Sequence, residues 1–167
     1  MKKYLYSALL LAAVTTGAHA QSATSTTATM TVTATIAPTC TANATAVTAA
    51  FGSFADRLTE KTAAASLLVS CTSTLTAAPT VRFSGGQNQT GSNRFMRGTA
   101  NAINRLQYDL KNSANALIAI NATTGETMAA NGTNAYRLDF SASILPTYLT
   151  NAVADAYSDT VTLTINW

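Results

Sequence analysis

The chain has 167 residues, with 10 Lys and Arg against 7 Asp and Glu, one His, two Cys and a charged fraction of 10%. That length fits one domain with a sizeable core. So low a charge, with a small positive excess, gives no basis for binding nucleic acid or an anionic membrane, and one His leaves little room for His-based catalysis or metal ligation.

The first twenty residues are MKKYLYSALLLAAVTTGAHA. Lys2 and Lys3 precede an apolar run, Leu5 to Val14, shorter than the roughly 20 residues a helix needs to cross a bilayer. Ala18-His19-Ala20 has the small-x-small form of a signal-peptidase site. Residues 1–20 therefore read as a secretory signal cut between Ala20 and Gln21; the alternative is a buried N-terminal helix. Its removal leaves 147 of the 167 residues and takes two of the ten basic residues and the only His. Eight basic residues then face seven acidic ones, a net charge of +1. A mature chain without His has no Ser-His-Asp or Cys-His machinery and no His-ligated metal. No cofactor is expected.

Next comes ATMTVTATIAPTC, Ala28 to Cys40. Met30, Val32, Ala34 and Ile36 alternate with Thr29, Thr31, Thr33 and Thr35, the pattern of a strand with one apolar and one hydroxyl face. Pro38 and Cys40 separate it from the rest of the chain. In an exported chain, Cys40 and Cys71 read as one disulfide, contributing roughly 3–4 kcal/mol through the unfolded state. Two free thiols are the alternative, although the spacing is not CxxC.

Further elements come in order. Val47 to Phe54 is a candidate short strand. Ala64 to Ser73 reads as a buried strand carrying Cys71, although its Ala run also suits a helix. Thr80 to Ser84 places Val81 and Phe83 on one face. GGQNQTGSN, Gly85 to Asn93, reads as a polar surface turn. Arg105 to Leu110 turns Leu106, Tyr108 and Leu110 inward, and Ala116 to Ile120 is a short apolar strand. After a loop from Asn121 to Asn134, Ala135 to Ile144 turns Tyr136, Leu138, Phe140, Ala142 and Ile144 to one face. In AYSDTVTLTINW, Tyr157, Val161, Leu163, Ile165 and Trp167 share a face. No convincing amphipathic helix and no tandem repeat is present.

Several short strands with turns between them predict an all-β sandwich. The last expected strand reaches Trp167, and the strongest unattached strand is the N-terminal one. An open sandwich edge with an apolar groove invites aggregation. A detached amphipathic strand is its matching plug, through strand addition.

Chemical readings are weak by comparison. Asp139 and Asp159 differ in phase and make a poor carboxylate pair for glycoside hydrolysis; Asp159 fits a residue at a strand start, paired to backbone or to an Arg. Arg94 and Arg97 flank Phe95-Met96 and suit solvent or local carbonyls better than an anion. Gly85-Gly86 lacks the spacing and following helix of a phosphate cradle. The sequons at Asn43, Asn88, Asn121 and Asn131 are expected by chance in a Thr/Asn-rich chain. Tyr157 and Trp167, being in phase with apolar neighbours, suit core packing better than sugar stacking.

The chain resembles the spore coat U domain family, which includes major pilins of the archaic (Csu-type) chaperone–usher pili. The resemblance rests on the arm ending Ala37-Pro38-Thr39-Cys40, Phe51-Gly52 followed by Phe54, and Leu68-Val69-Ser70-Cys71-Thr72. It continues through Phe83-Ser84-Gly85-Gly86, Arg94-Phe95-Met96, Leu106-Gln107-Tyr108-Asp109-Leu110, and Tyr157 to Trp167. It implies an incomplete immunoglobulin-like sandwich lacking its last strand, with residues 21–38 as a donor-strand arm and 39–167 as the pilin-like domain. It also implies a periplasmic chaperone, an outer-membrane usher and neighbouring copies or related pilins as partners, and a place in a cell-surface pilus. Met30, Val32, Ala34 and Ile36 would be the donor-strand side chains. Tyr157, Val161, Leu163, Ile165 and Trp167 would line the acceptor groove and pair with the chaperone. The alternative is a coat-like or monomeric binding protein whose arm folds into its own sheet.

Overall fold

The computed structural model describes residues 29–42 and 47–167. The expected leader, residues 21–28 of the expected arm and the sequon at Asn43 lie outside the described residues. The chain divides into two units, Met1–Thr35 and Ile36–Trp167. In the first, the described residues 29–35 carry no strand and are exposed. The second holds all the strands among the described residues.

The strands are β1 (Cys40–Ala42), β2 (Lys61–Cys71), β3 (Thr80–Phe83), β4 (Arg94–Gly98) and β5 (Arg105–Asn112). They continue as β6 (Glu126–Thr127), β7 (Ala129–Ala130), β8 (Ala135–Ile144), β9 (Tyr157–Ser158) and β10 (Leu163–Asn166). One short helix, α1 (Pro146–Leu149), follows β8. The first sheet runs β1-β2-β8-β5-β4-β9, with β7 also on β8; the second runs β10-β3-β6. All ladders between these strands are antiparallel. The result is the nearly all-β, two-sheet architecture that the sequence predicts.

The ladder β2–β8 is the longest, from Lys61 opposite Ile144 to Ser70 opposite Ala135. The Ala run of β2 is strand, not helix, because this register buries Ala63, Leu67 and Val69 while their neighbours face out. Pairing and burial override the intrinsic helix preference of Ala. On β8 every in-phase apolar residue, Tyr136 to Ile144, is buried. Leu106, Tyr108 and Leu110 of β5 are buried likewise. From the second sheet, Val81 and Phe83 are almost wholly buried, and Phe83 meets Phe140 edge to face at 5.1 Å between ring centres. That contact joins the two layers; such pairs add about 0.5–1.5 kcal/mol beyond area burial. Cys40 and Cys71 are disulfide-bonded across β1–β2.

The structure departs from the expected elements in several places. Val47 to Phe54 forms no strand. Ala116 to Ile120 makes only isolated bridges, Lys111 to Leu117 and Phe83 to Ile120, between positive-φ turns at Asn115 and Asn121. The segment holding Arg94 and Arg97, to which the sequence assigns no element, is strand β4. The expected C-terminal strand is split: β9 pairs with β4 in the first sheet and β10 with β3 in the second. Trp167 lies beyond β10 and is 58% exposed, so it is not a core residue.

Candidate functional site

The split of the C-terminal segment shapes a groove on the domain. Residues 159–162 cross from one sheet to the other, and beside this crossing opens a groove of about 790 Å³. One wall is Tyr157 to Val161 with Leu163 and Ile165; the other is Val47 to Gly52. The floor is core: Leu67, Phe83, Met96, Tyr108, Leu110, Phe140 and Ala142. A second groove of about 640 Å³ shares Phe51, Gly52, Met96 and Tyr157 with the first.

The backbone at the walls explains why the groove is open. The carbonyls of Thr160 and Thr162 accept bonds from the amides of Gln87 (3.1 Å) and Ser84 (2.9 Å). Successive backbone groups of a strand point to opposite edges. Those of Val161, Leu163 and Ile165 therefore point away from β3, to an edge where, among the described residues, the second sheet has no further strand. The side chains of Val161, Leu163 and Ile165 turn inward but stay half-buried. On the facing wall, Val47, Ala49 and Phe51 also pack on the core only in part. Val47 to Phe54 has the composition for a strand but no ladder partner among the described residues, and it forms no strand.

Asp159 anchors the crossing. Its Oδ1 accepts from the amides of Gln87 (3.0 Å) and Asn88 (3.3 Å) and from Asn88 Nδ2 (3.0 Å). Its Oδ2 accepts from the Tyr108 hydroxyl at 2.7 Å. Burial, reinforced by this bond, pushes the Tyr108 hydroxyl well above the usual phenol range, so it stays a donor. Gly86 has φ +84°, and a Cβ there would collide with the Asp159 carboxylate. The Gly85-Gly86 turn is thus shaped to admit Asp159 and is more than a surface turn. Asp159 pairs with backbone, as its position in the sequence predicts, but with no Arg by hydrogen bond. Asp139 sits on the outer face of β8 and pairs with Arg137 at 2.7 Å. The two carboxylates share no partner.

Arg94 is buried, not solvated. Its Nε donates to the Ser84 carbonyl (3.2 Å) and Nη1 to that of Ile118 (2.9 Å). Burial lowers its pKa, opposed by Tyr108 and the carboxylates of Asp109 and Asp159. Arg97 Nε donates to the Ala102 carbonyl at 2.8 Å. Both arginines therefore serve local carbonyls. Among the described residues no cluster of three or more His, Cys, Asp or Glu is placed to hold a metal.

Of the residues singled out from sequence, Tyr157, Val161, Leu163 and Ile165 come together on one groove wall. Trp167 is not part of that lining. Tyr157 is half-buried, its hydroxyl donating to the Val153 carbonyl at 2.7 Å. Met30, Val32 and Ile36 are 85, 79 and 85% exposed, and Ala34 is exposed as well. Sequence reasoning missed the Val47 to Gly52 wall as a groove element and the link between Asp159 and Tyr108. The adjacent glycines before Gln87 were the only signal for that link.

Among solved structures the chain is similar to one from the chaperone–tip adhesion subunit pre-assembly complex CsuC–CsuE, of the archaic chaperone–usher Csu pili of Acinetobacter baumannii. The TM-score is 0.53 at 24% identity, over 80% of this chain and 40% of that one. A chaperone–tip adhesin complex of CFA/I fimbriae biogenesis aligns with TM-score 0.37 and 13% identity, over 64% of this chain and 34% of that one. The chain thus spans well under half the length of the solved chains it matches. No curated protein matches it. The family model described as Spore Coat Protein U domain matches residues 26–164, so the chain belongs to the Spore Coat Protein U domain family.

Proposed function

We propose that the chain is a structural pilus subunit, secreted by a chaperone–usher pathway and polymerised by donor-strand exchange on the cell surface, where it supports attachment or biofilm formation. Residues 1–20 are its leader, 21–38 its donor arm and 39–167 its sandwich domain. The observation that carries this reading is the open groove beside the unpaired edge of Val161, Leu163 and Ile165. The arm fits that groove in length and pattern. Met30 to Ile36 and Thr160 to Asn166 are both seven residues, each about 20 Å when extended. Burying Met30, Val32 and Ile36 contributes roughly 1.5–3 kcal/mol each, and Ala34 much less. A neighbour's arm would supply the hydrogen bonds that the free edge and the Val47 to Phe54 wall lack. A periplasmic chaperone would cover the same edge before export, an usher would exchange one strand for the other, and membership in the family supports this assignment of partners.

Deletion of residues 21–37 tests the reading. With a cognate chaperone co-expressed, the truncated chain is expected to remain chaperone-bound and to form none of the SDS-resistant, heat-dissociable multimers of the full chain. Multimers unchanged by the deletion would favour a coat-like or monomeric binding role instead.

A further inference from the structure

The crossing at residues 159–162 is held by the turn beside it and, through Asp159, by Tyr108 of β5. The Ser84 to Asn88 segment contributes backbone bonds to Thr160 and Thr162, from the amides of Gln87 and Ser84, and the amide of Thr162 donates to Ser84 Oγ at 2.8 Å. Arg94 holds the Ser84 carbonyl, and Arg105 donates to the Asn88 carbonyl and to Thr90 Oγ1 at 2.8 Å. This turn is therefore fixed from behind. Asp159 joins it to the groove floor, because it takes three bonds from the turn and one from Tyr108 of β5. Bonds to a charged acceptor are stronger than neutral ones, so Asp159 is the firmest point on this wall. The wall's other residues, Val161, Leu163 and Ile165, pack their side chains partly on the core, while their backbone groups point away from β3.

We infer that Asp159 is a positioning residue for strand capture: clamped between Tyr108 and the Gln87–Asn88 turn, it fixes where the C-terminal segment leaves the first sheet and so sets the edge against which an incoming strand pairs. This rests on the proposed reading of the groove. The clamp's hydrogen bonds run to the Gln87–Asn88 turn and to Tyr108, none of which belongs to the β2–β8 ladder. Its loss shifts the edge while the rest of the sandwich keeps its pairing. Gly86 belongs to the clamp, because a side chain there pushes on the same carboxylate from the turn.

The test uses the full chain and three variants, Tyr108→Phe, Asp159→Ala and Gly86→Ala. Two readouts are taken: the rate of SDS-resistant multimer formation, and residue-level amide exchange in the monomer. Tyr108→Phe keeps the ring on the groove floor and removes one bond, so it is expected to slow assembly about tenfold, the factor matching one charge-assisted hydrogen bond. Asp159→Ala is expected to slow it about a hundredfold or more. In Asp159→Ala and Gly86→Ala, the amides of Gln87 and Asn88 are expected to lose protection while those of β2 and β8 keep it. Assembly at the full chain's rate with unprotected Gln87 and Asn88 overturns the inference. So does loss of protection across β2 and β8 in Tyr108→Phe, which would make the clamp a general support of the fold. If the chain lacking residues 21–37 assembles normally, the groove reading fails, and the inference falls with it.

Discussion

Strand β8 and the segment from Tyr157 to Trp167 carry the same sequence pattern and meet different fates. On β8, both edges are paired, by β2 and β5, and all five in-phase apolar residues are buried. In the C-terminal segment the alternation is just as regular, yet the chain changes sheets midway. There Tyr157, Val161, Leu163 and Ile165 are half-buried, and Trp167 is exposed. Alternation decides which face turns inward. It does not supply the neighbour that covers that face. On β8 the chain provides both neighbours; on β10 the described residues provide one, and the proposed donor-strand exchange would bring the second from another molecule.

The largest effect is expected on the closed side. Phe140→Ala removes the ring that meets Phe83 between the sheets and should cost about 3–5 kcal/mol, read as a lower denaturant midpoint of the whole domain. A cost near zero would mean that β8 is less central than its burial indicates. Cys40→Ser opens the link between β1 and β2, whose cysteines are 31 residues apart. It should cost about 3–4 kcal/mol, seen as lower export yield and faster proteolysis. Unchanged yield and protease resistance would make the cross-link dispensable.

On the open side, Leu163→Ala should cost the monomer only about 1–2 kcal/mol, because part of the side chain is already in water. The same change should weaken multimers far more than it weakens the monomer. Equal losses in both states would remove the contrast between the two regions. The smallest effect concerns acid. Asp155 accepts from the Ala100 amide at 3.0 Å, Asn104 Nδ2 at 3.0 Å and the Asn101 amide at 3.2 Å. The Ala100 bond, foremost, holds its carboxyl below the usual 3.8. A carboxylate with a lowered folded pKa stabilises above its unfolded value and loses that contribution as pH falls through and below about 3.8. Amides of Ala100 and Asn101 should therefore lose protection in that range, and should lack it already at neutral pH in Asp155→Ala. pH-independent protection would rule the bond out as the cause.

Much of the closed side is legible in the residues. The phases of β3, β5 and β8 follow from alternation, and the disulfide from two cysteines in a chain whose first twenty residues read as an export leader. β4 is harder: five residues with two arginines announce no strand, and Arg94 proves to be buried, donating to two carbonyls. The sheet change at 159–162 has no signature in Ser-Asp-Thr-Val-Thr, because the deciding groups, the Gly86 turn and Tyr108, lie about 50 to 70 residues away in sequence. Val47 to Phe54 misleads for the opposite reason. Its composition suits a strand, but a strand exists only where a ladder partner does. Trp167 keeps the apolar phase but lies past the last paired residue, so nothing covers it. Sequence therefore marks the groove by its inward faces and leaves its openness to the topology.

The most direct measurement is amide exchange at Val161, Leu163 and Ile165 in purified monomer and in multimer. A free edge filled by a neighbour's arm predicts fast exchange in the monomer and at least a hundredfold slowing in the multimer, about 2.7 kcal/mol of added protection, with β2 and β8 little changed. Equal exchange in the two states would contradict donor-strand exchange at this groove, because the edge would then be either covered already or never used.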